Sequence, residues 1–162
     1  KAMYGLMKCL KDGNVTVNVG LRLFETLVKP ILLYGCEIWM LPNNYKLFDR
    51  KSVEAIYDDK NTQIPCENTC LQFARFILGV HRKSSNLAIR GELGLFPLYT
   101  DAIINLIKYW RRLTVISPDT LLGQTYQAQV QMLHDKKYCW LKCVQSIMDG
   151  YNLTNFMNQP EF

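Results

Sequence analysis

Long apolar runs are missing from this chain of 162 residues. Those present, such as Pro30 to Tyr34, fall far short of the ~20 residues that span a bilayer. Nothing near the start pairs an apolar run with a cleavage site, so no signal peptide is read. No membrane partner is expected, and the expected place is intracellular, in cytoplasm or nucleus. Proline and glycine are scarce, 6 and 9 residues, against 49% hydrophobic residues. That balance excludes wholesale disorder and leaves apolar material for one domain or two small ones. The chain also lacks a P-loop, a G-x-S-x-G elbow and an H-E-x-x-H helix, each of which would point to an enzyme class. Lys1 stands where a methionine would open a reading frame, so a piece of a longer protein is expected.

Cysteine is present, but without the spacing of a scaffold. Cys9, Cys36, Cys66, Cys70, Cys139 and Cys143 are six, in a chain too large and apolar to need disulfides. Cys66/Cys70 and Cys139/Cys143 are i, i+4 pairs, each placed to share one helix face. One reading is zinc, with His81 or His134 as further ligands; the paired histidines of a finger are missing. The other, preferred, is buried structural thiols.

Apolar residues recur with the helical period through most of the chain, which predicts an all-α fold. Helices are expected over Ala2 to Lys11, from Val17 or Asn18 to Val28, and from Pro30 to Trp39 or Met40. Lys29 should leave the helical region because a proline follows it. A further helix is expected over Tyr45 to Tyr57, then a polar loop from Asp58 to Gln63. Pro65 opens another helix. Ser84 or Ser85 can cap a short one ending at Gly91 to Gly94, where glycine suits a left-handed cap. Thr100 can cap a long helix over Asp101 to Ile116; Asp119 to Leu133 and Tyr138 to Met148 complete the set. Cores are expected around Phe24, Leu27, Ile31, Leu32, Ile38 and Trp39, and around Phe73, Ile77, Leu93, Ile103, Ile107 and Trp110.

The net charge of +5 is concentrated. Between Arg75 and Arg112 stand seven basic residues, Arg75, Arg82, Lys83, Arg90, Lys108, Arg111 and Arg112. Only Glu92 and Asp101 oppose them, so this window carries the entire surplus. Such a patch is what a phosphate-tracking surface needs, although most basic helix faces are merely solvated. Tyr34, Trp39, Tyr99, Tyr109 and Trp110 can stack on bases, yet aromatics at helical spacing are mostly core. Glu37 and Glu92 sit in apolar surroundings, and are read as bracing the fold through Arg22, Arg75 or Arg90.

Three strings carry a resemblance. Leu21 to Trp39, LRLFETLVKPILLYGCEIW, has Pro30, Tyr34, Gly35, Glu37 and Trp39 in the arrangement seen just after the palm of reverse transcriptases of non-LTR (LINE-type) retrotransposons. Leu78-Gly79-Val80, then Asn86 to Gly94 with Gly91-Glu92-Leu93-Gly94, then Phe96-Pro97-Leu98, resembles the downstream block of the same family. Tyr109 to Leu113 resembles the helix that follows. Together they cover roughly residues 1 to 115, in the family's order. The resemblance implies a thumb-like helical bundle over 1–60, followed by a post-thumb helical subdomain with a basic face over 61–162. It further implies a template–primer duplex of RNA and DNA as partner, with the palm and fingers upstream in the same polypeptide.

A palm needs paired carboxylates to hold Mg²⁺ against the incoming phosphate. Ile56-Tyr57-Asp58-Asp59 does not qualify: its first position is not aromatic and Lys60-Asn61-Thr62-Gln63 cannot form the second buried strand. It also follows the thumb-like string, whereas the family's palm precedes it. No cofactor is therefore expected in this chain, Mg²⁺ being implied only for the full polymerase, and no polymerisation is expected of the chain alone. Two other readings stay open: a repurposed, non-catalytic helical module, and a protein-interaction domain whose basic face is incidental.

Overall fold

A computed structural model of the chain describes residues 1–13, 15–39, 65–153 and 155. The fold is all-α, and no strand occurs among the described residues. Its helices are α1 (Ala2–Asp12), α2 (Val17–Leu27), α3 (Lys29–Leu32), α4 (Cys36–Trp39), α5 (Pro65–Leu78), α6 (Asn86–Leu93), α7 (Leu98–Thr114), α8 (Leu121–His134) and α9 (Trp140–Gly150). The expected helix Tyr45 to Tyr57, the loop after it and Asp58-Asp59 lie outside the described residues.

The described residues group into two compact units, one drawn from Lys1–Tyr34 and Ala55–Asp101, the other from Gly35–Glu54 and Ala102–Phe162. The expected division was 1–60 and 61–162, with its boundary outside the described residues. The grouping is different because chain order does not dictate packing: α5 and α6 share a unit with α1 to α3.

In the first unit, α1 turns Met3, Leu6 and Leu10 inward, the i, i+3, i+7 row that its sequence spells. The ring of Phe24 on α2 stacks on Phe73 of α5, centroids 4.5 Å apart and planes 21° from parallel. Leu71, Ala74, Ile89 and Leu98 close this core. The buried stripe of α2 narrows to Gly20, Phe24 and then Val28, and Leu27 falls beside it, 53% exposed.

Two expectations fail at the Lys29-Pro30 junction. Lys29 stays helical as the first residue of α3, with Pro30 in the first turn, where its missing N–H would have had no partner. The helix expected from Pro30 to Trp39 is instead broken in two. Gly35 takes a left-handed φ of +66°, a region closed to most side chains but open to glycine, and it separates α3 from α4. The predicted core residues Ile31, before the break, and Ile38 and Trp39, after it, are each more than half exposed. Leu32 is half-buried.

The second unit is built on α9 and the part of α7 from Ala102 onward. Leu141, Val144, Ile147 and Met148 of α9 are buried, as are Ala102, Leu106, Trp110 and Leu113 of α7. Ile103 and Ile107 lie half-buried at the edge of that stripe, and in the first unit Ile77 and Leu93 do likewise. Trp140 of α9 donates its Nε1–H to the Glu37 carbonyl at 2.9 Å and receives Tyr109 edge-on, 5.7 Å between centroids. Truncation of Trp110, 8% exposed, is expected to cost about 3–5 kcal/mol because so large a ring leaves a cavity its neighbours cannot fill. Urea unfolding of Trp110→Ala measures this, and a loss well below 1 kcal/mol would show the ring is not a core element.

Candidate nucleic-acid interface

Helix α7 sorts its residues by angle. At ~100° per residue with Lys108 as origin, Arg111 and Arg112 fall at roughly −60° and +40°. The buried Ala102, Leu106, Trp110 and Leu113 fall between roughly 120° and 200°, on the opposite side. Lys108, Arg111 and Arg112 are all exposed, and none takes part in an ion pair among the described residues. Three cations thus stand together in solvent, on a helix anchored by its other face. They cannot attract one another, and an anion set against the row would relieve their repulsion.

In the first unit, Arg82 and Lys83 are exposed on the turn between α5 and α6. The Ser84 N–H donates to the His81 carbonyl at 2.9 Å, and the Lys83 N–H to His81 Nδ1 at 3.2 Å. Arg75 is half-buried rather than displayed. Its guanidinium donates to the Ser84 carbonyl at 3.1 Å and to Asn86 Oδ1, so it shapes the turn that carries Arg82 and Lys83.

Arg90 corrects the sequence reading. It is only 7% exposed, and it forms a 3.1 Å ion pair with Glu67 of α5, itself fully buried. Its charge is spent inside the unit and does not belong to a surface patch. The same carboxylate accepts the Tyr99 N–H at 2.8 Å, one of the first-turn amides of α7 that no helical carbonyl can reach. This cap from another helix explains why α7 begins at Leu98, three residues before the expected start after Thr100. Burial outweighs Arg90 and the amides, and pushes the Glu67 carboxyl above its ordinary range.

Glu67 was missed at the level of sequence, though a signal was there. It shares a helical face with Cys70, Leu71 and Ala74, at i+3, i+4 and i+7, and a lone acid on a buried stripe demands a cation. The two acids singled out in its place do other things. Glu92 is exposed. Glu37 offers its carbonyl to Trp140, while its carboxylate accepts the Cys36 thiol at 3.7 Å.

Of the remaining motif residues, Tyr34 is 85% and Trp39 51% exposed, Pro30 and Gly91 are exposed, and Pro97 is fully buried. Gly94 is the left-handed cap of α6 at φ +63°, where glycine was expected, and the Leu95 N–H closes on the Arg90 carbonyl at 2.9 Å. Tyr99 and Trp110 are buried, and Tyr109 packs on Trp140, so among the aromatics proposed to stack on bases only Tyr34 and Trp39 present exposed rings.

No three His, Cys, Asp or Glu side chains come together as a metal-binding group among the described residues. None of the six cysteines is in a disulfide; Cys9 is exposed and the other five are buried. Burial, with Glu67 adding its charge, pushes Cys70 up to about 12, and burial raises Cys36 as well. Because the thiolate is the nucleophile, iodoacetamide at neutral pH is expected to alkylate Cys9 quickly. The other five should react only on unfolding; intact-mass spectra showing several fast thiols would contradict this packing. No family model, no curated protein and no solved structure matches this chain.

Proposed function

We propose that this chain is the thumb and post-thumb region of a LINE-type reverse transcriptase, and that it grips the template–primer duplex through phosphates. The observation that carries the reading is the exposed row Lys108, Arg111 and Arg112, opposite the buried face of α7. The three motif strings support it, because they occur in the family's order along one chain. Phosphate contacts position a duplex without reading its bases, which suits a grip that must let the duplex pass. Tyr34 and Trp39 are exposed aromatics on hand for stacking. Chemistry belongs to the palm and fingers of the same polypeptide, which would supply the carboxylates for Mg²⁺.

The test is fluorescence anisotropy with labelled RNA–DNA hybrids of several sequences over a range of salt. Binding indifferent to sequence and falling steeply with salt is expected. Absence of binding at low salt would sink the reading and leave the protein-interaction alternative.

A further inference from the structure

The first unit contains a pocket of about 110 Å³ that the nucleic-acid reading does not use. Its lining includes three buried side chains, Phe24, Cys70 and Leu98, together with Phe96, which is 73% exposed. The charged groups on it are Glu25, Lys29 and Asp101. Lys29 and Asp101 neutralise each other in a 2.9 Å ion pair. Glu25 is exposed and has no ion pair or hydrogen bond among the described residues, so the lining carries one negative charge in surplus. Cys70, held as a neutral thiol, adds no charge to the floor.

Size and charge together select an occupant. An apolar cavity of about 150 Å³ admits a benzene ring, so this smaller space suits a straight alkyl chain better than an aromatic one. A long stem that lies on apolar surface while its charged head stays in water is the habit of lysine. We propose that this pocket receives a lysine side chain from a partner protein. The alkyl stem lies along Phe96, over the buried Phe24 and Leu98, and the ammonium meets Glu25. The face of Phe96 adds attraction for the cation. This partner is cationic, the opposite of a phosphate backbone, so the inference stands or falls apart from the nucleic-acid reading.

The experiment titrates the full chain with n-butylammonium, followed by amide and methyl chemical shifts, with 1-butanol as the uncharged control. Saturable shifts confined to the lining residues are expected. For a ligand of five heavy atoms the Kd should be on the order of millimolar, with 1-butanol binding more weakly. Glu25→Gln should weaken n-butylammonium by about two- to fivefold, the range of an exposed ion pair, and leave 1-butanol unchanged. Cys70→Met, which extends a longer side chain into the space, should abolish both. Equal binding of amine and alcohol, no response to Glu25→Gln, or no saturable shift at all would each overturn the proposal. Should Cys70→Met fail to fold, Glu25→Gln still decides, since its side chain lies on the surface.

Discussion

Glu67→Ala is expected to destabilise the first unit by about 3–5 kcal/mol, because it leaves Arg90 charged, 7% exposed and unpaired. Arg90→Ala should cost a similar amount by orphaning the carboxylate. The double change Glu67→Leu, Arg90→Met is expected to recover most of this loss, since well-packed apolar residues often replace a buried ion pair at little net cost. It should not recover all of it. Tyr99 loses the acceptor of its N–H, and an uncapped first turn typically costs about 1 kcal/mol. Chemical unfolding of the four proteins gives the cycle; a double variant no better than the singles would show that the pair is not the unit that matters.

The same group sets a pH dependence. Burial raises the folded-state pKa of Glu67 above its ordinary value of 4.5, so the folded chain holds this proton at pH values where the unfolded chain has released it. The linked contribution to stability is therefore largest in acid and falls as pH rises from 4.5 through the folded-state value. Wild type compared with Glu67→Gln should show that decline, and a difference that rises with pH over the same window would reverse the assignment.

The triple change Lys108→Ala, Arg111→Ala, Arg112→Ala is expected to cut hybrid binding sharply while the fold survives, because all three side chains are in solvent. Each phosphate contact releases counterions, and its loss lowers the magnitude of the log–log salt slope by about 0.9 on B-form DNA. Loss of all three contacts should flatten the slope by roughly 2.7 on that scale. Affinity then falls most at low salt and converges with wild type at high salt. A variant that binds hybrid with an unchanged slope would move the contact away from α7.

Arg82→Ala with Lys83→Ala isolates the other displayed pair. Arg75 and Arg90 do not belong in such a scan: one shapes a turn and the other is buried, so a binding loss on their removal would report misfolding.

Most helices were legible without coordinates because their signals are local. The i, i+3, i+7 spacing of Met3, Leu6 and Leu10, the glycine after Leu93 and the proline before Cys66 act within a turn or two of the chain. The basic row of α7 was legible for the same reason, since its face follows from residue spacing alone. What stayed hidden depends on partners far along the chain. Arg90 reads as a surface cation until Glu67, 23 residues away, is seen beside it. The start of α7 reads as Asp101, capped by Thr100, until a carboxylate from α5 is found capping Tyr99, and the helix from Pro30 to Trp39 reads as continuous until Gly35 is found left-handed within it. Local spacing determines which residues form a helix and which share a face. Whether a charged side chain on that face is solvated or buried depends on the desolvation it meets and the partner that offsets it, and only the packed structure brings those together.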